Sequence, residues 1–378
     1  MEKYDVLRPT YVLETELFRK NIERIAKIQK ESGVHFLMAL KAFSVWKAFD
    51  LIKPFFDQCT ASGPWEARLG HEEMGGLSHT FSAAYSASDF NEVLEHSSHV
   101  VFNSLDQLER FHQQCIDYSH PISIGLRVNP ECSTIETDLY NPCAPGSRLG
   151  VAKELLPTVL PEYVEGLHFH ALCESNSYDL EKTLSSFESL FGDYLPQLKW
   201  VNFGGGHLVT HKDYDVDHLI KLLHAFKEKW DVEVYMEPGS AFAWETGVLV
   251  ANVLDVVDQR GIKTAILDVS FTAHMPDCLE MPYQPNVRDA KKQEYDGGIK
   301  YRIGGNSCLA GDYLGDWWFD KALAVGDQIV FEDMIHYTMV KTTFFNGVKH
   351  PDIALKNEDG SISLLKQFTY DDYKNRIS

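Results

Sequence analysis

Short apolar runs alternate with segments of helical periodicity through the first two thirds of the chain. Leu17, Ile22, Ile25 and Ile28 recur at helical spacing and predict a helix that ends before Gly33. Eight apolar runs of strand length follow, most of them separated by helical patterns, at residues 35–40, 58–61, 80–85, 99–103, 123–129, 165–171, 199–203 and 233–236. Eight strands over roughly two hundred residues predict a (β/α)8 TIM barrel.

A doubly wound sheet is the competing α/β fold. It would carry a glycine-rich phosphate turn after its first strand, whereas the triple glycine of this chain comes late, at Gly204, Gly205 and Gly206. A late phosphate site suits a barrel. Beyond residue 241 the pattern changes to β-rich runs with turns between them. We therefore expect a barrel over residues 10–240 and a β-sandwich-like or β-barrel-like domain over 241–378, which residues 1–9 could join.

Composition excludes some classes of partner. The formal net charge of -20 at pH 7 repels phosphate backbones and anionic lipids, so we expect neither a nucleic acid nor a membrane partner. The sequence has no long uncharged apolar stretch, and its first residues lack the pattern of a signal peptide, which predicts a cytoplasmic protein. The seven cysteines are an odd number and show no Cys-x-x-Cys spacing, so we expect most of them to be reduced and structural.

The first predicted barrel strand ends on a single lysine, Lys41, set among Leu40, Ala42 and Phe43. Desolvation would lower the pKa of its ammonium group and make the amine a nucleophile. The alternative is a lysine whose charged end extends to solvent.

Other chemical groups follow at predicted strand ends and turns. Three consecutive glycines let backbone N–H groups turn toward one anion, although a flexible turn is the alternative. His168 and His170 share one side of a strand and could bind a metal, but we favour His170 lying against a flat ligand, with no metal. Glu237 ends a further strand, where barrel enzymes place catalytic groups, or it caps the next segment.

The predicted β domain contains a glycine-bounded loop, residues 304–312, which displays the thiol of Cys308 and the carboxylate of Asp312. Tyr337 follows it along the chain. In this order and spacing, the chain resembles the fold-type III decarboxylases that depend on pyridoxal 5'-phosphate, the alanine racemase-like group with a barrel and a β domain. The resemblance covers nearly the whole chain and rests on the triple glycine and on residues 39–42, 237–239 and 306–312.

The resemblance implies a role for each matching residue. Lys41 would be the lysine that forms the Schiff base with pyridoxal phosphate, His170 would stack on its ring, and Glu237 would pair with its pyridine nitrogen. Cys308 would protonate the substrate carbon. The phosphate would contact Gly204, Gly205, Gly206 and Tyr337, with Arg148 near the cofactor. Asp268, His274, Asp277 and Asp312 would bind the substrate. Ser240 stands where the ornithine and diaminopimelate branches carry arginine, so one contact of those branches is missing.

The resemblance is closest to the branch that converts carboxynorspermidine or carboxyspermidine into norspermidine or spermidine with release of carbon dioxide, a step of polyamine biosynthesis. It implies a carboxylated polyamine substrate and a homodimer with shared active sites. Diaminopimelate decarboxylase, or a decarboxylase of another basic amino acid, is the alternative within the same chemistry. A non-catalytic carrier of pyridoxal phosphate and a metal-dependent barrel hydrolase built on His168 and His170 are alternatives of other classes.

Overall fold

The structure, a computed structural model, describes residues 4–378 and divides the chain into two compact units. One unit is Asn21–Phe242. The other combines Met1–Lys20 with Ala243–Ser378. Among the described residues, no helix is both long and apolar enough to cross a membrane.

The unit Asn21–Phe242 is built around a parallel sheet that forms a ring of eight strands. The first strand is broken at Leu37: His35–Phe36 pairs with the last strand, while Met38–Ala39 pairs with the second. The Leu37 N–H bridges the break by donating to Met236 O at 2.8 Å. The other seven strands are Cys59–Ala61, Ser78–Phe81, Ser97–Phe102, Ser123–Arg127, Val164–His168, Trp200–Asn202 and Glu233–Met236. This ring excludes the doubly wound sheet and confirms the predicted barrel.

Helices alternate with these strands, and polar side chains fix where several of them begin. Ser104 and Asp215 each accept a backbone N–H at a helix start, and Asn176 forms a capping box with Asp179. Such caps satisfy N–H groups that have no partner within the helix. The α-helices are Thr15–Ser32, Pro64–Met74, Phe90–Glu95, Leu105–Ile116, Ser177–Phe191, Val216–Trp230 and Ser240–Ala243; the 3-10 helices are Trp46–Leu51, Asp138–Tyr140, Lys153–Leu155 and Gly192–Gln197.

The second unit is organised by a nine-stranded mixed sheet. Its strands are Thr10–Glu14, Gly247–Gln259, Ile262–Leu267, Ala290–Lys291, Ile299–Gly304, Tyr313–Phe319, Gln328–Glu332, Asp352–Lys356 and Ile362–Lys366. Its helices are Phe271–His274, Pro276–Glu280 and Tyr370–Ile377, with 3-10 turns at Met339–Lys341 and Phe345–Gly347. This unit matches the separate β domain expected from the sequence.

The strand Thr10–Glu14 lies in this mixed sheet, although the sequence placed the start of the barrel at residue 10. It pairs antiparallel with Gly247–Gln259 and parallel with Asp352–Lys356, so both of its edges are bonded within the second unit. Val12 packs in an apolar cluster with Val248 and Val250. A strand buried on both faces has the same apolar pattern in either sheet, so the sequence pattern does not separate the two locations.

Two glycines make room for one tryptophan inside the barrel. Gly125, Gly166 and Trp200 lie side by side on three neighbouring strands. A Cβ atom on Gly166 would lie 2.1 Å from the Trp200 ring, and one on Gly125 would lie 2.3 Å from it. The Trp200 indole N–H donates to Ser123 Oγ at 2.7 Å, which fixes the orientation of the ring. The missing side chains of Gly125 and Gly166 therefore provide the space that the Trp200 ring fills.

We predict that Gly166→Ala destabilises the protein by about 1–3 kcal/mol, because the buried ring cannot move away without losing its packing. Urea unfolding followed by circular dichroism measures the change. Gly63→Ala is the control, since a Cβ atom there meets nothing within 4 Å. Equal midpoints for Gly166→Ala and wild type would contradict this account of the barrel interior.

Candidate active site

The polar side chains that sequence analysis placed at strand ends meet in one cavity. Lys41 follows the strand Met38–Ala39, His168 ends its own strand with His170 two residues beyond, and Glu237 follows Glu233–Met236. Because all strands of a parallel barrel point the same way, their carboxyl ends open on one face. The cavity has a volume of about 640 Å³, and its lining includes Lys41, Thr60, Phe81, Arg127, Tyr140, Arg148, His168, His170 and Glu237.

Lys41 is only half-buried as a residue because it faces the cavity, but its amine is removed from bulk water. This desolvation lowers the pKa of the Lys41 ammonium group. Glu237 opposes the shift and the cation of Arg127 adds to it. Lowering the pKa increases the neutral fraction of the amine, which is the form that acts as a nucleophile.

Glu237 is a buried carboxylate with two defined contacts. Its Oε1 atom accepts a hydrogen bond from Asn202 Nδ2 at 2.7 Å, and its Oε2 atom lies 3.6 Å from His168 Nε2. Burial raises the pKa of Glu237, while Lys41 and the hydrogen bonds from Asn202 and Thr60 oppose the rise. Opposing effects thus act on the pKa of the Glu237 carboxyl group, and burial is the largest of them.

The two histidines are held neutral. Burial lowers the pKa of both His168 and His170 well below the usual value, and the nearby cations Lys41 and Arg127 lower it further. His170 Nδ1 accepts the Gly205 N–H at 3.2 Å, which places the proton of the neutral ring on Nε2. Within the described residues, neither ring nitrogen of His168 has a hydrogen-bond partner.

Arg127 is a buried site residue that the sequence analysis missed. It ends the strand Ser123–Arg127, donates from Nη2 to His170 O at 3.1 Å, and lies over the Phe81 ring at 4.6 Å. Burial lowers the pKa of Arg127 to about 10, so the guanidinium stays charged at neutral pH. The available signal was a charged residue that ends an apolar strand, the same signal that marked Lys41.

The triple glycine lies against two residues of the cavity, His170 and Glu237. Gly204 and Gly206 have φ angles of +67° and +88°. A Cβ atom on Gly204 would lie 2.5 Å from Phe169 O, and one on Gly206 would lie 2.1 Å from Leu172 O. The N–H groups of Gly204 and Gly205 already donate to Asn202 Oδ1 and His170 Nδ1. The phosphate role of this turn stays a prediction.

The three groups His168, His170 and Glu237 could in principle hold a metal, since their ligand atoms lie within 4.8 Å of one another. Two buried cations, Lys41 and Arg127, act on all three groups and would repel a divalent ion. The same cations suit an anionic phosphorylated cofactor. A desolvated amine, a buried carboxylate and an unpartnered buried imidazole in one cavity fit pyridoxal phosphate.

The predicted site residues of the second unit form their own local networks. Asp312 is buried and its Oδ2 atom accepts hydrogen bonds from the Ser307 N–H and hydroxyl, while Oδ1 accepts from Thr272 N–H. Oδ2 is thus used within the loop that carries the exposed Cys308, and Oδ1 ties this loop to the helix Phe271–His274. These bonds favour a structural role for Asp312 over the predicted substrate contact.

Asp268, His274 and Asp277 differ in how many of their side-chain polar atoms are hydrogen-bonded. Both oxygens of Asp268 accept hydrogen bonds from Asn252. Burial lowers the pKa of His274 to about 3, so this ring is neutral, and its Nδ1 atom accepts the Ser270 N–H. Asp277 Oδ2 accepts from the hydroxyls of Tyr283 and Thr338, but Oδ1 is buried and, in the described part of the chain, has no partner. Asp277 is therefore the strongest candidate of the three for a cationic ligand.

The remaining two predicted residues are Arg148, in the barrel unit, and Tyr337, in the second unit. Arg148 is an exposed residue on the rim of the barrel cavity, where its carbonyl accepts a hydrogen bond from Asn103 Nδ2 at 2.8 Å. Tyr337 is half-buried and has a φ angle of +35°, which is uncommon for a residue with a side chain. Their roles toward a cofactor stay predictions.

Residues 10–335 match the family model of the pyridoxal-dependent decarboxylase, C-terminal sheet domain. The chain belongs to this family of pyridoxal-phosphate-dependent decarboxylases. Its cofactor and its enzyme class, both expected from the sequence, are thereby confirmed.

Particular relatives are similar over almost their full length. A carboxyaminopropylagmatine decarboxylase of Synechocystis is 46% identical over 98% of this chain and 95% of its own. A carboxynorspermidine/carboxyspermidine decarboxylase of Campylobacter jejuni is 43% identical over 97% and 98%. The crystal structure of carboxynorspermidine decarboxylase from Campylobacter jejuni complexed with norspermidine superimposes with a TM-score of 0.91 at 40% identity, covering 98% of this chain and 100% of that chain. Diaminopimelate decarboxylases also match, at 22–26% identity over 60–75% of this chain.

We predict that Asn202→Leu moves the acid limb of pyridoxal phosphate binding to higher pH by about one to two units. The variant removes two hydrogen bonds, one donated to Glu237 and one accepted from the Gly204 N–H. Loss of the bond to a charged group, about 1.5–3 kcal/mol, raises the pKa of Glu237 further, so its carboxyl group stays protonated to higher pH. Fluorescence titration of apoenzyme with cofactor between pH 5 and 9 measures the shift. Asn252→Leu, which removes a similar contact from Asp268, is the control. An unchanged acid limb in Asn202→Leu would contradict the argument.

Proposed function

We propose that the protein decarboxylates carboxylated triamines, converting carboxynorspermidine or carboxyspermidine into norspermidine or spermidine with release of carbon dioxide. The observation that carries this proposal is the likeness to the Campylobacter jejuni enzyme, in sequence and in fold, over essentially the whole chain. The diaminopimelate reading is less favoured because those relatives are more distant and match a shorter part of the chain. The cytoplasmic location expected from the sequence stays a prediction.

When bound, pyridoxal phosphate supplies an electron sink for the electron pair left behind as carbon dioxide departs. Lys41 would hold the cofactor covalently through its amine, which desolvation keeps nucleophilic. Glu237 would hold a proton at the pyridine nitrogen, and Asn202 orients this carboxylate through its hydrogen bond. His170, a neutral ring fixed by Gly205, would lie against the cofactor.

A second candidate substrate differs from the carboxytriamines in the group at its distal end. The Synechocystis relative is named for carboxyaminopropylagmatine, which ends in a guanidinium rather than an ammonium group. A guanidinium prefers a carboxylate that offers both oxygens, whereas an ammonium needs one acceptor. Asp277 keeps one oxygen free, since the other already accepts two hydroxyls. This geometry favours an ammonium-ended triamine.

Carbon dioxide release from five substrates tests the function. We expect turnover of carboxyspermidine and carboxynorspermidine to exceed that of carboxyaminopropylagmatine, with diaminopimelate and ornithine lowest. Carboxyaminopropylagmatine as the best substrate would support the second candidate and overturn the ammonium argument. Diaminopimelate as the best substrate would overturn the proposal itself.

We predict that Asp277→Asn raises KM for the preferred triamine about tenfold while cofactor binding is unchanged, because an amide offers no charge to a distal ammonium. Steady-state kinetics and cofactor titration measure both. Asp320→Asn removes the same charge from an exposed position and serves as control. Equal KM values for wild type and Asp277→Asn would contradict a contact between Asp277 and the distal ammonium and would point to another group.

We further propose that the enzyme is a two-fold dimer in which the barrel of one subunit and the Cys308 loop of its partner complete each site. This proposal rests on the family resemblance. Lys41→Ala and Cys308→Ala, each nearly inactive, should then rescue one another after dissociation and mixing. About half of randomly formed dimers are heterodimers with one intact site of two, so roughly a quarter of wild-type activity should return. No recovery, with subunit exchange confirmed independently, would contradict the shared site.

A further inference from the structure

The loop that carries Cys308 is built around the buried side chain of Asp312. Ser307 Oγ donates to Asp312 Oδ2 at 2.7 Å, Thr272 N–H donates to Oδ1 at 3.1 Å, and Gly305 N–H donates to Asp312 O at 2.7 Å. A Cβ atom on Gly305 would lie 2.3 Å from Asp312 Oδ2, so glycine is required there. These contacts fix the base of the loop, but none of them reaches Cys308 itself.

Cys308 is held by a residue from a separate turn. Its backbone N–H donates to Asn346 Oδ1 at 2.6 Å, across 38 positions of sequence. Asn346 lies in the 3-10 turn Phe345–Gly347 with a φ angle of 61°, a left-handed conformation that asparagine tolerates better than most residues. The side-chain oxygen of Asn346 is therefore presented to Cys308 by a strained turn, while the thiol remains exposed.

We propose that Asn346 is a positioning residue for the Cys308 thiol. The inference rests on the proposed function, in which Cys308 delivers a proton to the substrate carbon. Proton transfer requires the donor within hydrogen-bond reach of its target, and a displacement of about 1 Å can cost roughly a hundredfold in rate. A fixed backbone N–H of Cys308 limits the directions in which its thiol can point. The hydrogen bonds of Asp312 do not hold Cys308, so this restraint comes from Asn346.

The chemistry offers a readout that general destabilisation would not produce. After carbon dioxide leaves, one electron pair must take up one proton. With pyridoxal phosphate bound, delivery to the substrate carbon would give the amine product, which leaves when the Lys41 amine takes its place on the cofactor. Delivery to the cofactor carbon instead, followed by hydrolysis with one water, gives an aldehyde product and pyridoxamine phosphate. The ratio of aldehyde to amine therefore reports how well the thiol is placed.

The test compares Asn346→Gly with Asn346→Asp. Glycine keeps the left-handed turn and removes only the acceptor, whereas aspartate keeps an acceptor oxygen. We expect Asn346→Gly to lower kcat about tenfold with KM little changed and to raise the aldehyde fraction at least about fivefold, since a misplaced donor slows the correct proton transfer. Asn346→Asp should restore most of the amine product. In the apoenzyme, the rate of Cys308 alkylation by iodoacetamide, followed by peptide mass spectrometry, should change several-fold in Asn346→Gly.

Asn357→Gly is the matched control, because its side-chain amide donates to Ser361 and Ser363, two residues far in sequence from the Cys308 loop. A wild-type aldehyde fraction together with a wild-type alkylation rate in Asn346→Gly would overturn the inference, as would an Asn346→Asp variant that misdirects the proton as often as Asn346→Gly. A Cys308→Ala variant that still forms only amine would instead remove the proposed role of Cys308. The alkylation rate would still decide whether Asn346 positions the residue.

Discussion

The chemistry of the barrel depends on keeping Lys41, Arg127 and Glu237 in one cavity away from bulk water. Burying a charge is costly unless other charges and hydrogen bonds compensate for it. One carboxyl group, Glu237, lies in the same cavity as two basic groups, Lys41 and Arg127, and the neighbouring histidines are neutral, so basic groups outnumber acidic ones there. An anionic phosphorylated cofactor balances such a site, whereas a divalent metal would add to the excess.

The barrel explains why side chains so distant in sequence reach the same cavity. Each functional residue lies at, or just beyond, the carboxyl end of a strand, and the ring closes through the broken first strand that delivers Lys41. The rigid packing of Trp200 against its two glycines lies within these same strands. Placing reactive groups on such rigid elements holds them in position without any cost at the moment of reaction.

Sequence reasoning predicted the barrel and the cluster of Lys41, His170 and Glu237, because a polar residue ending an apolar run is visible in the pattern. It missed Asn202, since a polar residue within a short apolar run looks like an ordinary strand residue until its neighbours are known. Arg127 carried the strand-end signal of Lys41, but it lies within the longer predicted run 123–129. The strand Thr10–Glu14 was placed in the barrel because its pairing partners, more than two hundred residues away, leave no local signal. Asp312 is the opposite case. A carboxylate in a glycine-rich loop suggests a ligand contact, but both oxygens of Asp312 accept hydrogen bonds from residues of its own unit.

The distribution of charge separates the two ends of the proposed substrate. A carboxylated triamine carries its reacting carboxylate at one end and ammonium groups along the rest. The buried cations Lys41 and Arg127 suit the anionic end and the cofactor phosphate. The net charge of -20 attracts polyamine cations from solution, an effect that salt should screen. Since diaminopimelate has no net positive charge at neutral pH, this long-range attraction favours the triamine over diaminopimelate before any contact is made.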